Sequence, residues 1–380
     1  MLARSLPRPS GLASRTALLA AAAALALVAG LIPAQAASTP GWRITDVLPA
    51  STEIYSTAAT SAGNAWGVGM ACGDPCEGGT NLLAEHWTGS QWQTIAPPAG
   101  FSTSVGTAVT AASSPSNAWV FANQGTNVES TIALRWNGNS WTDQSDFPAW
   151  SGVTASVVIG KADAWAFGQI ISPQSTYVAH YNGTAWSQVA FPGTVTPQDA
   201  SALSSRNIWA IGQGSSGMAI VHWNGTSWTR SRLPKLSLPT GDRTNGEGIA
   251  AITPDNVWAD AYLSAGMGIA SGIVLLHWNG KAWSRVSVPY PTVQPGAISQ
   301  DGHGGVWLTA YGAANFKPYL YHDNGGHWQR VAVPAAKSSS TQLSALSWIP
   351  GGRSVWAGGE SIPDSNPNGI TQGAFLKYGP

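Results

Sequence analysis

Short runs in which apolar and polar positions alternate, separated by Gly, Pro and Asn, recur along nearly the whole chain. In the clearest unit, Asp199 to Ser204 is small and lightly apolar, and Asn207 to Gly212 reads Asn-Ile-Trp-Ala-Ile-Gly. Met218 to Trp223 follows, and a run from Ser227 to Leu233 stops at Pro234. A period of two with β-branched and aromatic enrichment predicts four strands, and no segment keeps a helical period for three turns. The landmark of the unit, Trp209, is matched by Trp66, Trp119, Trp165, Trp258, Trp307 and Trp356 at steps of 44 to 53 residues. Units that recur this regularly bury their apolar faces against one another, so the fold is an array.

Strands three and four of each unit are joined by a recurring reversal. It reads Trp136-Asn137-Gly138, Tyr181-Asn182-Gly183, Trp223-Asn224-Gly225 and Trp278-Asn279-Gly280, each followed three residues later by Trp. Unit one has Thr88 for Asn, and unit six carries an extra residue in His322-Asp323-Asn324-Gly325-Gly326-His327-Trp328. Asn-Gly reverses a chain tightly with the twist that strand pairs need, so each unit is a four-stranded antiparallel sheet.

The last unit stops at Pro380, before a fourth strand. The missing piece stands at the other end, where Trp42 to Pro49 matches Trp186 to Pro192, Trp283 to Pro289 and Trp328 to Pro334. An N-terminal strand that completes the last sheet closes a ring and leaves no free edge between the chain ends. The predicted fold is all-β: a seven-bladed β-propeller of four-stranded antiparallel blades. The tryptophans fit it, because seven lie in second strands, seven open fourth strands (Trp42, Trp92, Trp141, Trp186, Trp228, Trp283 and Trp328) and four precede the turn. All are read as wedges between blades.

The second-strand pattern, the aromatic ending strand three, and Trp followed six residues later by Pro resemble the kelch repeat, the unit of the galactose-oxidase central domain. The resemblance covers about residues 42–380. The kelch double glycine survives only as Gly358-Gly359 and is reduced to Gly69, Gly168 and Gly212 elsewhere. The chain is also similar to Trp-rich secreted propellers of actinobacteria. The copper–radical chemistry of the oxidase needs a cysteine cross-linked to tyrosine, whereas both cysteines here share one small loop. No cofactor or metal is therefore expected.

Residues 1–36 read as an export signal: Arg4, Arg8 and Arg15, an apolar run from Thr16 to Ile32, and the small-x-small site Ala34-Gln35-Ala36. The propeller then occupies 37–380, and the protein is expected to be secreted, extracellular and monomeric. An uncleaved membrane anchor is the competing reading, since the apolar run just reaches spanning length. No later segment is apolar enough to cross a membrane. Cys72 and Cys76 flank Gly-Asp-Pro, and in an exported chain a disulfide stapling this loop is the expectation. With 18 basic and 18 acidic residues, and charged residues only 9% of the chain, no field favours nucleic acid or anionic lipid.

Chemistry is sought on the face where loops vary in length, the face of the strand two–three and blade-to-blade connections. Trp150, outside the repeat, reads either as a plug against the adjacent blade or as a candidate platform for a sugar or aromatic ligand, with Tyr290, Tyr262, Phe316 and Phe101 as weaker aromatics. Trp348, the other extra tryptophan, is read as packing. Gln294 and Gln342 join the ligand candidates at the pore mouth. Glu53, Asp199 and Glu247 enter first strands and could form a general acid–base pair, hold a cation, or simply hydrate the channel. His86, His180, His222 and His277 recur on third strands and are read as blade-to-blade hydrogen-bonding residues rather than ligands of one ion. A non-enzymatic propeller binding an extracellular glycan or protein is the leading expectation, and a secreted carbohydrate-active hydrolase or lyase the alternative.

Overall fold

The computed structural model describes residues 40–72, 80–101, 104–125, 130–149, 151–265, 269–313, 317–365 and 370–379. These residues form seven four-stranded antiparallel sheets and no helix. Six sheets run in simple sequence order. In the seventh, Gly41–Ala50 pairs with Gln372–Gly379, Trp42 lying opposite Tyr378 and Arg43 opposite Lys377. The predicted closure is therefore observed.

The seven first strands contact one another in a closed circle, each touching the first strand of the next blade. A first strand has one edge in its own sheet and the other toward the axis, where its polar backbone needs partners. Short hydroxyls supply them across blades. The backbone N–H of Thr110 donates to Ser56 Oγ at 3.1 Å, that of Ala251 to Ser201 Oγ at 3.0 Å, and that of Trp348 to Ser299 Oγ at 3.0 Å. Ser and Thr in these strands stitch the ring as well as fitting its crowded centre.

Six of the seven first strands carry a bulge at the same depth, for example between Ile54 and Ser56 and between Pro197 and Asp199, and in blade two it lies nearer the strand start, between Val105 and Thr107. A bulge tolerates Pro197, which lacks the ladder N–H, and this lets the first strand of blade four start at Val195, four residues before the sequence suggests. The single glycine kept in second strands has its reason here. A Cβ on Gly69 would collide with Glu53 O, and one on Gly212 with Thr196 O, both in the bulged backbone opposite. The predicted fourth strand of blade four shrinks to Trp228–Arg230, with one further bond from Ser231 N to Ile220 O before the chain leaves for the next blade.

Between blades, the core is aromatic. Each second-strand tryptophan, 0–6% exposed, meets the tryptophan that opens the fourth strand of the following blade, with centroids 4.9–6.0 Å apart and rings near perpendicular. The series runs Trp66–Trp141, Trp119–Trp186, Trp165–Trp228, Trp209–Trp283, Trp258–Trp328, Trp307–Trp42 and Trp356–Trp92, and so passes through the seam where the chain ends meet. Edge-to-face packing suits the aromatic quadrupole. The indole N–H groups of wedges such as Trp66 and Trp209 are buried without a hydrogen-bond partner.

On the other side of each wedge lies the recurring histidine. His86, His222 and His322 stack on Trp66, Trp209 and Trp307 at 4.1–4.3 Å, and Arg135 and Lys377 take the place in blades two and seven. The histidines bond within their own blade, not between blades as expected: His222 Nε2 to Asn207 Oδ1 at 2.9 Å, His180 Nε2 to Asp163 at 3.0 Å. Asn at the start of the second strand is within reach because it lies beside the histidine one strand over. The blade-to-blade bond comes from Asn instead, Asn256 Nδ2 donating to Gly304 O at 3.0 Å. In the turns, only Gly takes positive φ, +96° at Gly225, while Asn224 Oδ1 accepts the N–H groups of Thr226 and Ser227 at 3.0 Å.

Candidate functional site in the central channel

The ring encloses a channel of about 620 Å³ to which all seven first strands contribute. Its wall mixes hydroxyls (Ser56, Thr110, Ser156), amides (Gln198, Gln294), phenols (Tyr55, Tyr311) and carboxyls (Asp199, Glu247). A second space of about 430 Å³, lined mainly by Ala, Val and Ser, continues it toward the mouth where first strands end. Trp348 touches both spaces; its indole N–H donates to Gly352 O at 2.7 Å, so the ring is fixed against the turn below it.

Asp199 stands where blade one has Ser56 and does the same stitching. Its Oδ2 accepts the N–H of Ile249 in blade five and its Oδ1 that of Ala200, both at 2.8 Å. Burial pushes its carboxyl up to about 6 despite those two donors. Glu247 projects from the bulge of the next first strand, between Gly246 and Ile249. Among the described residues it makes no hydrogen bond, and it keeps part of its surface open to the channel. Burial on its other sides, and then the charge of Asp199, push it up to about 7.

Behind these two lies a carboxyl that the sequence reading did not single out. Asp260 is two residues after Trp258, where the corresponding blades have Val68, Phe121, Phe167 and Ile211 packed in the core. It is 0% exposed, and neither oxygen has a hydrogen-bond partner of ordinary geometry. Gly248 makes room for it, since a Cβ there would come within 2.9 Å of Asp260 Oδ2. Burial, then the charges of Glu247 and Asp199, hold Asp260 well above the usual carboxylate range; the nearby Gly248 N–H opposes this only weakly. The departure from an apolar repeat position was the available signal. Blade six departs similarly with Thr309, whose Oγ1 accepts Ala297 N at 2.8 Å across its bulge.

Glu53 belongs to a different group. It lies beside Tyr55, and its charge acts on Tyr55 and on Glu360, across the seam of blades one and seven. Burial, then Glu53, raises both Tyr55 and Glu360. Tyr311, donating to Leu343 O at 2.8 Å, is pushed up to about 12 by burial and then by Glu360. The three carboxylates proposed from sequence thus fall into two sets: Asp199 with Glu247 and Asp260, and Glu53 with Glu360. No cluster of three metal-ligating side chains occurs among the described residues.

Of the remaining candidates, Gln294 lines the channel. Tyr262 is half-buried near Glu247, whose charge adds to burial in raising its hydroxyl. Gln342 pairs with Glu360 in blade seven. Phe101 packs against the core of blades one and two. Tyr290 is 38% exposed and lies beside Tyr321. Trp150, Phe316 and Cys76 lie outside the described residues, while Cys72 ends the second strand of blade one.

Together these features define a seven-bladed β-propeller with a polar axial channel and an off-centre carboxyl group. No family model and no curated protein sequence matches the chain. Solved structures do. YCF48 bound to D1 peptide aligns over 89% of this chain and 96% of its own at 14% identity and a TM-score of 0.58. A GH74 xyloglucanase from Xanthomonas campestris aligns over 84% of this chain and 53% of its own at 14% identity and 0.58. The WD40 repeats of RRP9 align over 90% and 100% at 10% identity and 0.58. At such identities the likeness is one of fold.

Proposed function

We propose that this protein is a secreted, kelch-like binding propeller that takes a neutral, hydroxyl-rich ligand, a glycan end in particular, into its axial channel from the irregular face. The observation that carries this reading is the channel wall. Glu247, free of protein hydrogen bonds among the described residues, shares the channel wall with the amide of Gln294 and with several hydroxyls. A carboxyl balanced near 7 offers both an acceptor and a donor, and amides and hydroxyls do the same, which matches sugar hydroxyls better than a charged partner. Proteins with propellers of this fold include one bound to a peptide and one that is a xyloglucanase, so both ligand types are compatible with the architecture. Export by residues 1–36, a Cys72–Cys76 staple and a monomeric state belong to the same proposal. Glycan-array screening followed by calorimetry tests it: a neutral oligosaccharide should bind, and Glu247→Gln should weaken it at least tenfold. Absence of any glycan or protein ligand, or full affinity in Glu247→Gln, would refute it.

A second reading rests on one specific observation. Asp199 and Glu247 line one pocket with carboxyls raised to about 6 and about 7, the range useful to a general acid and its partner. As a glycoside hydrolase or lyase, the protein would use Glu247 as the proton donor, because both Asp199 oxygens already accept backbone N–H groups. Release of reducing ends from a polysaccharide, abolished by Glu247→Gln, would favour it over simple binding.

A further inference from the structure

A second polar site lies away from the axis, in the cleft of about 670 Å³ between blades six and seven. Lys317, Tyr319 and Arg330 line it from blade six, and Ser339, Ser340 and Thr341 from blade seven. Arg330 is exposed and makes neither a hydrogen bond nor an ion pair among the described residues. Its guanidinium is held over two phenol rings, 5.2 Å from Tyr290 and 5.3 Å from Tyr319. Thr341 is 1% exposed, yet its Oγ1 has no hydrogen-bond partner. In a chain whose charged residues are only 9% of the total, an exposed guanidinium oriented over two phenol rings stands out. A stacked guanidinium is oriented in advance for two-point contact with a carboxylate, and the tyrosine faces beside it suit the C–H face of a pyranose ring.

We propose that this cleft binds the carboxylate-bearing sugar of an acidic glycan: Arg330 pairs with the carboxylate, Tyr319 packs on the ring, and the Thr341 hydroxyl bonds a sugar hydroxyl. It is a site independent of the channel. Calorimetric titration of the wild-type protein with an oligogalacturonate, at 50 and 500 mM NaCl, tests it. The expected result is binding that weakens with salt, is lost at least tenfold in Arg330→Ala, and is retained in Glu247→Gln. Ser340→Tyr, which fills the cleft from the blade-seven side and leaves Arg330 and Tyr319 in place, should abolish binding with an unchanged melting temperature, and it decides the matter should Arg330→Ala fail to fold. Absence of binding by wild type, wild-type affinity in Ser340→Tyr, or equal affinity for polyglutamate would overturn the proposal.

Discussion

At the scale of single residues, tryptophan dominates this protein because each ring serves two blades at once. Trp209 stacks on His222 at 4.2 Å within its blade and meets Trp283 of the next at 5.6 Å. Truncation leaves a cavity on both sides, so Trp209→Ala should cost about 3–5 kcal/mol in urea unfolding. Asp260 behaves oppositely. It is a carboxyl buried with only the poorly placed Gly248 N–H nearby, where other blades are apolar, and such a group costs a few kcal/mol. Asp260→Val, copying Val68, should therefore raise the melting temperature; a fall would mean that the carboxyl has a stabilising partner. The tryptophan pattern was legible in the sequence because it recurs seven times. Asp260 was not, because its meaning lies in breaking a pattern whose core role appears only once the blades are packed.

The elements were legible to within a few residues, and where the reading slipped the cause is local. First strands begin early because a bulge accommodates residues such as Pro197, and fourth strands are short because the outer chain peels away after one last bond. The closing strand was readable from both termini together. Removing it by starting the chain at Pro49 would expose the edge of Gln372–Gly379 and strip Trp42 from Trp307 and Tyr378. Such a truncation should aggregate or melt far below the intact protein, as turbidity and calorimetry would register. If it melts like wild type, the seam contributes little to closure.

For the molecule as a whole, the site was only half legible. Sequence placed Asp199 and Glu247 toward the pore but could not separate Glu53 from them, because distance around a ring is set by blade geometry and not by spacing. The raised carboxyls have a consequence for stability. Their folded values lie above the unfolded ones near 4, so at these two groups the folded state binds more protons, and their contribution to stability is fullest below about pH 4 and is lost as pH rises through 6 to 7, against the opposite trend of the half-buried His86, His222 and His277. Holding Glu247 at about 7 instead of 4.5 costs on the order of 3 kcal/mol once it is ionised. Melting temperature between pH 5 and 8 should decline, and Glu247→Gln should flatten part of the decline.

The most direct test of the channel as the binding site is a crystal structure with the best neutral oligosaccharide from the array soaked in. The account predicts sugar density in the axial channel, with hydroxyls within hydrogen-bond distance of Glu247 and Gln294. Density confined to the outer rim, with the channel holding only water at saturating ligand, would contradict it.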